Sequence, residues 1–285
     1  MTAGVFRVNI VGRVANAVID HPPNHLVDAS FVIELATLVD RLEAESLVRV
    51  LVFSSADPDF FLMHGDVDLI RQLPVAGSAT TDEVNFSAAL FDRIRGSSIV
   101  TLGLLDGIAR GGGCEFLASL DIRVGSHRAV VGQPEVALDL IPGAGGCLRW
   151  PRMVGRGRAL DILLTGRDVT AEEAYQIGWL DRVVATDDLE RVGTEIAQRI
   201  AAMPTEAVTA IKRVVDLSLG EQQSVLLAES LALQHRLADE SHRDAIERFL
   251  FAGGQTREAE LPEQFALVLE RTIQAQRGAG SRRDE

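Results

Sequence analysis

Lysine is almost missing from this chain. Lys212 is the only one among 28 basic residues, so arginine supplies nearly all the positive charge, against 41 acidic residues and a formal net charge of −13. That balance argues against a general nucleic-acid or anionic-membrane binder, which would carry a basic footprint. Two cysteines, Cys114 and Cys147, are too few for a disulfide framework or a four-cysteine zinc site, and they read as reduced thiols. The six histidines show no HExxH spacing, so no metal is expected. No apolar run reaches the roughly 18 residues that a membrane span needs, and no basic-flanked apolar core marks a signal peptide. The expected compartment is therefore the cytoplasm.

What is present is an ordinary globular composition, 47% hydrophobic over 285 residues, enough for one large domain with an appendage. Residues 5–20 read as a hairpin turning near Gly12-Arg13, because Phe6, Val8 and Ile10 alternate with polar or small residues. After the His21-Pro22-Pro23-Asn24-His25 break, Asp28 or Ser30 can cap a helix carrying Phe31, Leu35, Leu38 and Leu42. Val48–Ser54 and Ile99–Leu105 are short apolar runs of the kind buried in parallel sheets. Between them lie an apolar loop over 54–66, a short helix from Asp66, a small-residue flap candidate over 74–81 and a helix ending at Gly96. Beyond Leu189 the pattern becomes helical, with breaks at Pro204 and Gly220. The expected division is a core over 1–190 and a helical region over 191–285, frayed from about residue 278.

The chemistry concentrates between Gly107 and Gly146. Gly111-Gly112-Gly113 runs directly into a helix-forming stretch, Cys114–Leu120, where glycine permits close approach and the first helical N–H groups can meet a developing negative charge. Glu115 lies in that first turn, and Glu135 follows the Gly132-Gln133-Pro134 break. Either acid alone could merely complement a helix dipole. The triple glycine costs helix stability that capping does not require, and the apolar neighbours Phe116 and Leu117 imply a buried carboxylate. Pro142-Gly143-Ala144-Gly145-Gly146 matches neither phosphate-loop spacing, and Ser119 and Ser126 lack the GxSxG context of a nucleophile.

The motifs GGGCE, GQPE, IPGAGG, LTGRDVTAEEA and IGWLDRVV, all between Gly107 and Val184, resemble the enoyl-CoA hydratase/isomerase, or crotonase, superfamily. The resemblance implies an α/β fold: a crotonase-like spiral of ββα repeats with a C-terminal helical region that helps build trimers, often paired as hexamers. It implies reversible addition of water to a trans-2-enoyl-CoA, with coenzyme A as part of the substrate rather than a cofactor. By the same resemblance, the N–H groups of Met63 and Gly112 would hold the thioester oxygen. Glu115 would activate water, Glu135 would deliver a proton to the α-carbon, and Gly143 would orient a carboxylate or the water. Pro23, His25, Leu26, His64, Gly65 and Asp66 would contribute to substrate and CoA binding.

One segment departs from the family pattern, where Leu62-Met63-His64-Gly65-Asp66 places His64 at a position commonly glycine. A positive φ there would be costly for histidine. The alternatives are a double-bond isomerase or another CoA-thioester lyase or decarboxylase, and, in a different class, a non-catalytic acyl-CoA-binding scaffold.

Overall fold

The structure, a computed structural model, describes residues 4–45, 47–72 and 83–280. The flap candidate at 74–81 lies outside them. The chain opens with the expected hairpin: β1 (Phe6–Val11) pairs antiparallel with β2 (Val14–Ile19) through Gly12-Arg13. Asp28 caps the helix Ala29–Ala44 by accepting from the Phe31 N–H, and that helix buries Phe31, Leu35, Leu38 and Leu42 on one face.

From there the backbone coils. Each turn lays one strand in a six-stranded sheet and the next in a four-stranded sheet, then returns through helix. The first turn is β3 (Val50–Ser55) and β4 (Phe60–Leu62), followed by the helices Val67–Gln72 and Phe86–Gly96. The second is β5 (Val100–Leu105) and β6 (Ile108–Arg110), followed by the helix Gly112–Ser119. The third is β7 (Ile122–Ser126) and β8 (Val130–Gly132), followed by the 3-10 turn Glu135–Leu138 and the helices Gly146–Val154 and Arg156–Thr165. Two short strands, β9 (Asp168–Thr170) and β10 (Arg182–Val184), complete the sheets. Their orders are β1-β2-β3-β5-β7-β10 and β4-β6-β8-β9, parallel except at the β1–β2 and β8–β9 pairs. Crossover connections of this kind force parallel pairing and cover both sheet faces, which is why β5 is apolar and buried along its whole length.

The layers are pinned by aromatic packing. Phe116 lies 5.0 Å from Phe53, 5.4 Å from Phe91 and 5.7 Å from Phe31, ring centre to ring centre. These contacts seat the Gly112–Ser119 helix on the six-stranded sheet. On its outer face the sheet is covered by Leu189–Ala201, whose Leu189, Ile196 and Ala197 pack with Val52, Leu102 and Val124. The helices Thr205–Ser218, Gln223–Leu237, Ser241–Phe251 and Pro262–Gly280 follow. The last two close a separate apolar cluster with Val67, Leu138 and Leu140.

The fold is the expected ββα spiral with a helical last quarter. Several elements differ from the sequence reading. The apolar loop over 54–66 contains β4, and β6 and β9 were equally unmarked, because three residues cannot display an alternating pattern. A helix begins directly at Gly146. Among the described residues, no helix is long and apolar enough to cross a membrane.

Candidate active site

The triple glycine is a steric necessity. Gly111 has φ 51°, and a Cβ there would lie 2.8 Å from the His64 Cβ and 3.1 Å from a Glu135 carboxylate oxygen. At Gly113 a Cβ would lie 2.0 Å from the Leu62 carbonyl oxygen. Bare backbone therefore lets the start of the Gly112–Ser119 helix press against the end of β4, and the Gly113 N–H donates to the Met63 carbonyl at 2.9 Å.

Met63 itself does not fit the role its position implied. It is completely buried, and its N–H donates to the His25 carbonyl at 2.8 Å, which leaves it unavailable to a ligand. The neighbouring corner differs. The Gly65 nitrogen lies 3.6 Å from where a Cβ on Gly112 would stand, and no hydrogen bond occupies the Gly65 or Gly112 N–H among the described residues. His64 is also less strained than expected, since the described non-glycine residues with positive φ are His25, Asp139 and Gln255.

These glycines open onto a cavity of about 480 Å³, a volume suited to a small-molecule ligand. Its walls are largely apolar: Val27, Val32, Ile70, Phe91 and Leu138, with Leu233, Phe249 and Leu269 from the C-terminal helices. Both candidate acids, Glu115 and Glu135, line it, as do His64, Gly65, Asp66, Gly112 and Gly143.

The two acids sit in unlike surroundings. Glu115 Oε1 accepts from the Ala144 N–H at 2.7 Å and the Gly146 N–H at 2.8 Å. Burial raises its pKa, while those two amides and the nearby Arg149 favour the carboxylate. Glu135 is pushed well above the ordinary carboxylate range, first by burial and then by the charges of Glu115 and Glu229. The buried Gln133, with its amide nitrogen turned toward Glu135, donates to both carboxylate oxygens at 3.0 and 2.8 Å.

Glu229, from Gln223–Leu237, is a third buried carboxylate. It accepts from the Gly145 N–H at 2.5 Å and the Cys147 N–H at 2.8 Å, and burial together with Glu115 pushes its pKa up to about 8. One residue further on, Ser230 Oγ accepts from the Asn85 N–H at 3.1 Å, while the Asn85 side chain donates to the Gly143 carbonyl.

On the opposite rim the histidine is held firmly. His64 Nε2 lies 3.0 Å from Glu260 Oε1, and Nδ1 lies 2.8 Å from the Gly65 carbonyl oxygen. Arg110, fully buried beneath them, donates to Glu260 and, through two nitrogens, to both Asp168 oxygens at 2.8 and 2.7 Å, with its guanidinium 3.7 Å over the Phe265 ring. Asp66 is occupied in capping Val67–Gln72, its Oδ1 accepting from the Asp68 N–H at 3.0 Å.

Pro23, His25 and Leu26 fall outside the cavity lining. His25 is buried under β4, with Nδ1 3.3 Å from the Phe61 carbonyl and 3.2 Å from Ser55 Oγ, and its pKa is lowered by burial. Leu26 packs on Phe60 and Met63, while Pro23 is exposed. Sequence reasoning missed Glu229, Asn85, Glu260 and Arg110. Only Gln133, inside the GQPE motif, carried a signal.

Known proteins similar to this chain point one way. The family description "Enoyl-CoA hydratase/isomerase" matches residues 10–253. A short-chain-enoyl-CoA hydratase of Clostridium acetobutylicum is 28% identical over 244 residues, covering 84% of this chain and 92% of that protein. YngF of Bacillus subtilis, provisionally an enoyl-CoA hydratase/isomerase, is 30% identical, covering 78% of this chain and 85% of its own. Among solved structures, a provisionally assigned enoyl-CoA hydratase of Streptomyces avermitilis superposes with a TM-score of 0.83 at 33% identity, covering 95% of this chain and 99% of that one.

Proposed function

Because the chain belongs to the enoyl-CoA hydratase/isomerase family, we propose that it adds water reversibly to a trans-2-enoyl-CoA thioester. Family membership carries hydratase- or isomerase-type chemistry on a CoA thioester. The observation that favours hydration is the pair Glu115 and Glu135, two acids on one cavity whose environments separate their protonation.

In this reading the acyl chain lies along the apolar wall, and the thioester oxygen is held by the N–H groups of Gly112 and Gly65. The latter takes the place implied for Met63. Glu115, whose carboxylate two amides support against the upward push of burial, takes a proton from water as the oxygen attacks the β-carbon. The electron pair of the double bond moves through the α-carbon to the thioester oxygen, giving an enolate. Donors aimed at that oxygen stabilise the developing charge, each typically worth roughly 2.7–4 kcal/mol of barrier. Glu135, held protonated by burial and by its acidic neighbours, gives its proton to the α-carbon. Gln133 steadies that carboxyl. Glu115 ends protonated and Glu135 ionised, and exchange with solvent restores both.

Self-association through the carboxy-terminal helices, as a trimer or a pair of trimers, is part of the same proposal. Thr205–Ser218 supports it with an apolar face left open, with Ile211 65% exposed, Val214 63% and Leu217 69%.

The test is incubation with trans-2-enoyl-CoA thioesters of graded chain length in ¹⁸O-water, followed by mass spectrometry. Label at the β-carbon of a 3-hydroxyacyl-CoA is the expected product. Migration of the double bond without label would make the protein an isomerase. Binding without any conversion would remove the enzymatic reading altogether.

A further inference from the structure

The rim of the cavity on the His64 side is fastened by a strap from the far end of the chain. Gln255 is bound on four sides. Its N–H donates to Glu260 Oε1 at 2.9 Å, its carbonyl accepts from Asn24 Nδ2 at 2.7 Å, its side-chain oxygen accepts from the Val67 N–H at 2.8 Å, and its side-chain nitrogen donates to Asp66 Oδ1 at 2.9 Å. It does so at φ 63°, a conformation that persists in a non-glycine residue only where surrounding contacts determine it.

The histidine ring has an acceptor at each nitrogen. A carbonyl oxygen cannot donate, so the 2.8 Å contact to Gly65 requires a proton on Nδ1. Glu260 Oε1 also accepts from the Gln255 N–H, and Arg110 approaches Oε2 at 3.3 Å; these contacts favour the Glu260 carboxylate and hence a proton on Nε2 across the 3.0 Å contact. An imidazolium facing a carboxylate satisfies both contacts, and, against the effect of burial, Glu260 draws the His64 pKa upward. The titratable and charged groups around the ring are Glu260 from the strap, Arg110 from β6 and, across Gly111, Glu135.

Resting on the hydratase reading, we propose that His64 and Glu260 form a positioning pair for the thioester site. Glu260 holds the imidazolium, and the imidazolium fixes the Gly65 carbonyl, and with it the orientation of the residue whose N–H meets the thioester, while placing a positive charge on that side of the cavity. Neither side chain exchanges a proton with substrate. Glu260, 196 positions from His64 in the sequence, thus acts on the reaction through it.

The experiment uses the full chain and a saturated [1-¹³C]acyl-CoA, which cannot be hydrated, so the carbonyl is read independently of turnover. In the wild type the bound carbonyl resonance should move downfield, reporting polarisation. Glu260→Gln keeps the side-chain shape and removes the charge; it should reduce that downfield shift and lower kcat on the order of 10- to 100-fold, with thioester affinity little changed. Without the carboxylate the ring loses its proton more readily, so the alkaline fall in kcat should move to lower pH in the variant. An unchanged carbonyl shift and pH profile in folded Glu260→Gln would overturn the proposal. If that variant does not fold, ¹⁵N-histidine spectra of the wild type decide: two protonated ring nitrogens on His64 at neutral pH are expected, and a bare one overturns it. Wild-type protein that hydrates nothing would sink the hydratase reading, leaving His64 to be judged by these two resonances.

Discussion

Glu115 and Glu229 divide four consecutive N–H groups between them. Glu115 takes those of Ala144 and Gly146, and Glu229 takes those of Gly145 and Cys147. The start of the Gly146–Val154 helix is thus gripped alternately from two sides, once by an acid of the cavity and once by a buried acid of the C-terminal region. Four aligned donors make such closeness tolerable for two carboxylates, and proton uptake relieves the remainder.

Glu229→Gln should therefore change the pH dependence of stability. The folded-state pKa of Glu229 is raised from the ordinary 4.5 to about 8, so the folded chain binds more protons than the unfolded one in that interval. Its contribution is fully present below about 4.5 and is lost as pH rises through about 8. Thermal melts of the variant should depend less on pH across this interval. At acidic pH the variant should be less stable by about 1–3 kcal/mol, because an amide cannot satisfy both N–H donors.

The same substitution reaches the chemistry. The Glu229 charge is one of the forces that raise the Glu135 pKa. If Glu135 must be protonated to act, hydration fails as pH rises through its pKa, and Glu229→Gln should move that alkaline limb to lower pH. A kcat profile that does not move would separate Glu229 from the reaction.

Glu115→Gln and Glu135→Gln should each lower the hydration rate by roughly 10²–10⁴-fold while thioester affinity stays close to that of the wild type. Steady-state rates paired with direct binding measurements distinguish this from a binding defect. Near-normal turnover in either variant would remove that residue from its assigned role.

Gly113→Ala asks for space that does not exist. The added methyl would stand 2.0 Å from the Leu62 carbonyl oxygen, 2.4 Å from its carbon and 2.8 Å from the Met63 carbonyl oxygen. All three atoms are backbone, so no rotamer change relieves the contact, and the cost should reach or exceed about 3 kcal/mol. Denaturant titration should report it. Gly157→Ala, where nothing lies within 4 Å, is the matched control.

What could be read from the chain was what is written in adjacent residues. GGGCE and GQPE carry their meaning locally, since glycine beside an acid in an apolar turn is informative wherever it folds. The hairpin, the long helices and the buried runs of β3 and β5 were visible for the same reason. Three-residue strands were not, and neither was the engagement of the Met63 N–H, because a backbone partner such as the His25 carbonyl leaves no trace in side-chain identity. Glu229 and Glu260 look in the sequence like any acid on a helical stretch. Their burial follows from how the C-terminal helices return to the spiral.

That return has a consequence for the order of events in folding. The strap contacts that finish the cavity rim join residues 188 to 231 positions apart, among the longest-range contacts of the fold. Closing such loops carries an entropic cost that local elements do not face, so the rim should form after the sheets. The core carries its own reporter: the two tryptophans, Trp150 and Trp179, pack with ring centres 5.5 Å apart in the main apolar cluster, which the strap does not join. On refolding, their fluorescence should recover before thioester binding does. For that interval the chain would be folded in its centre yet blind to its ligand.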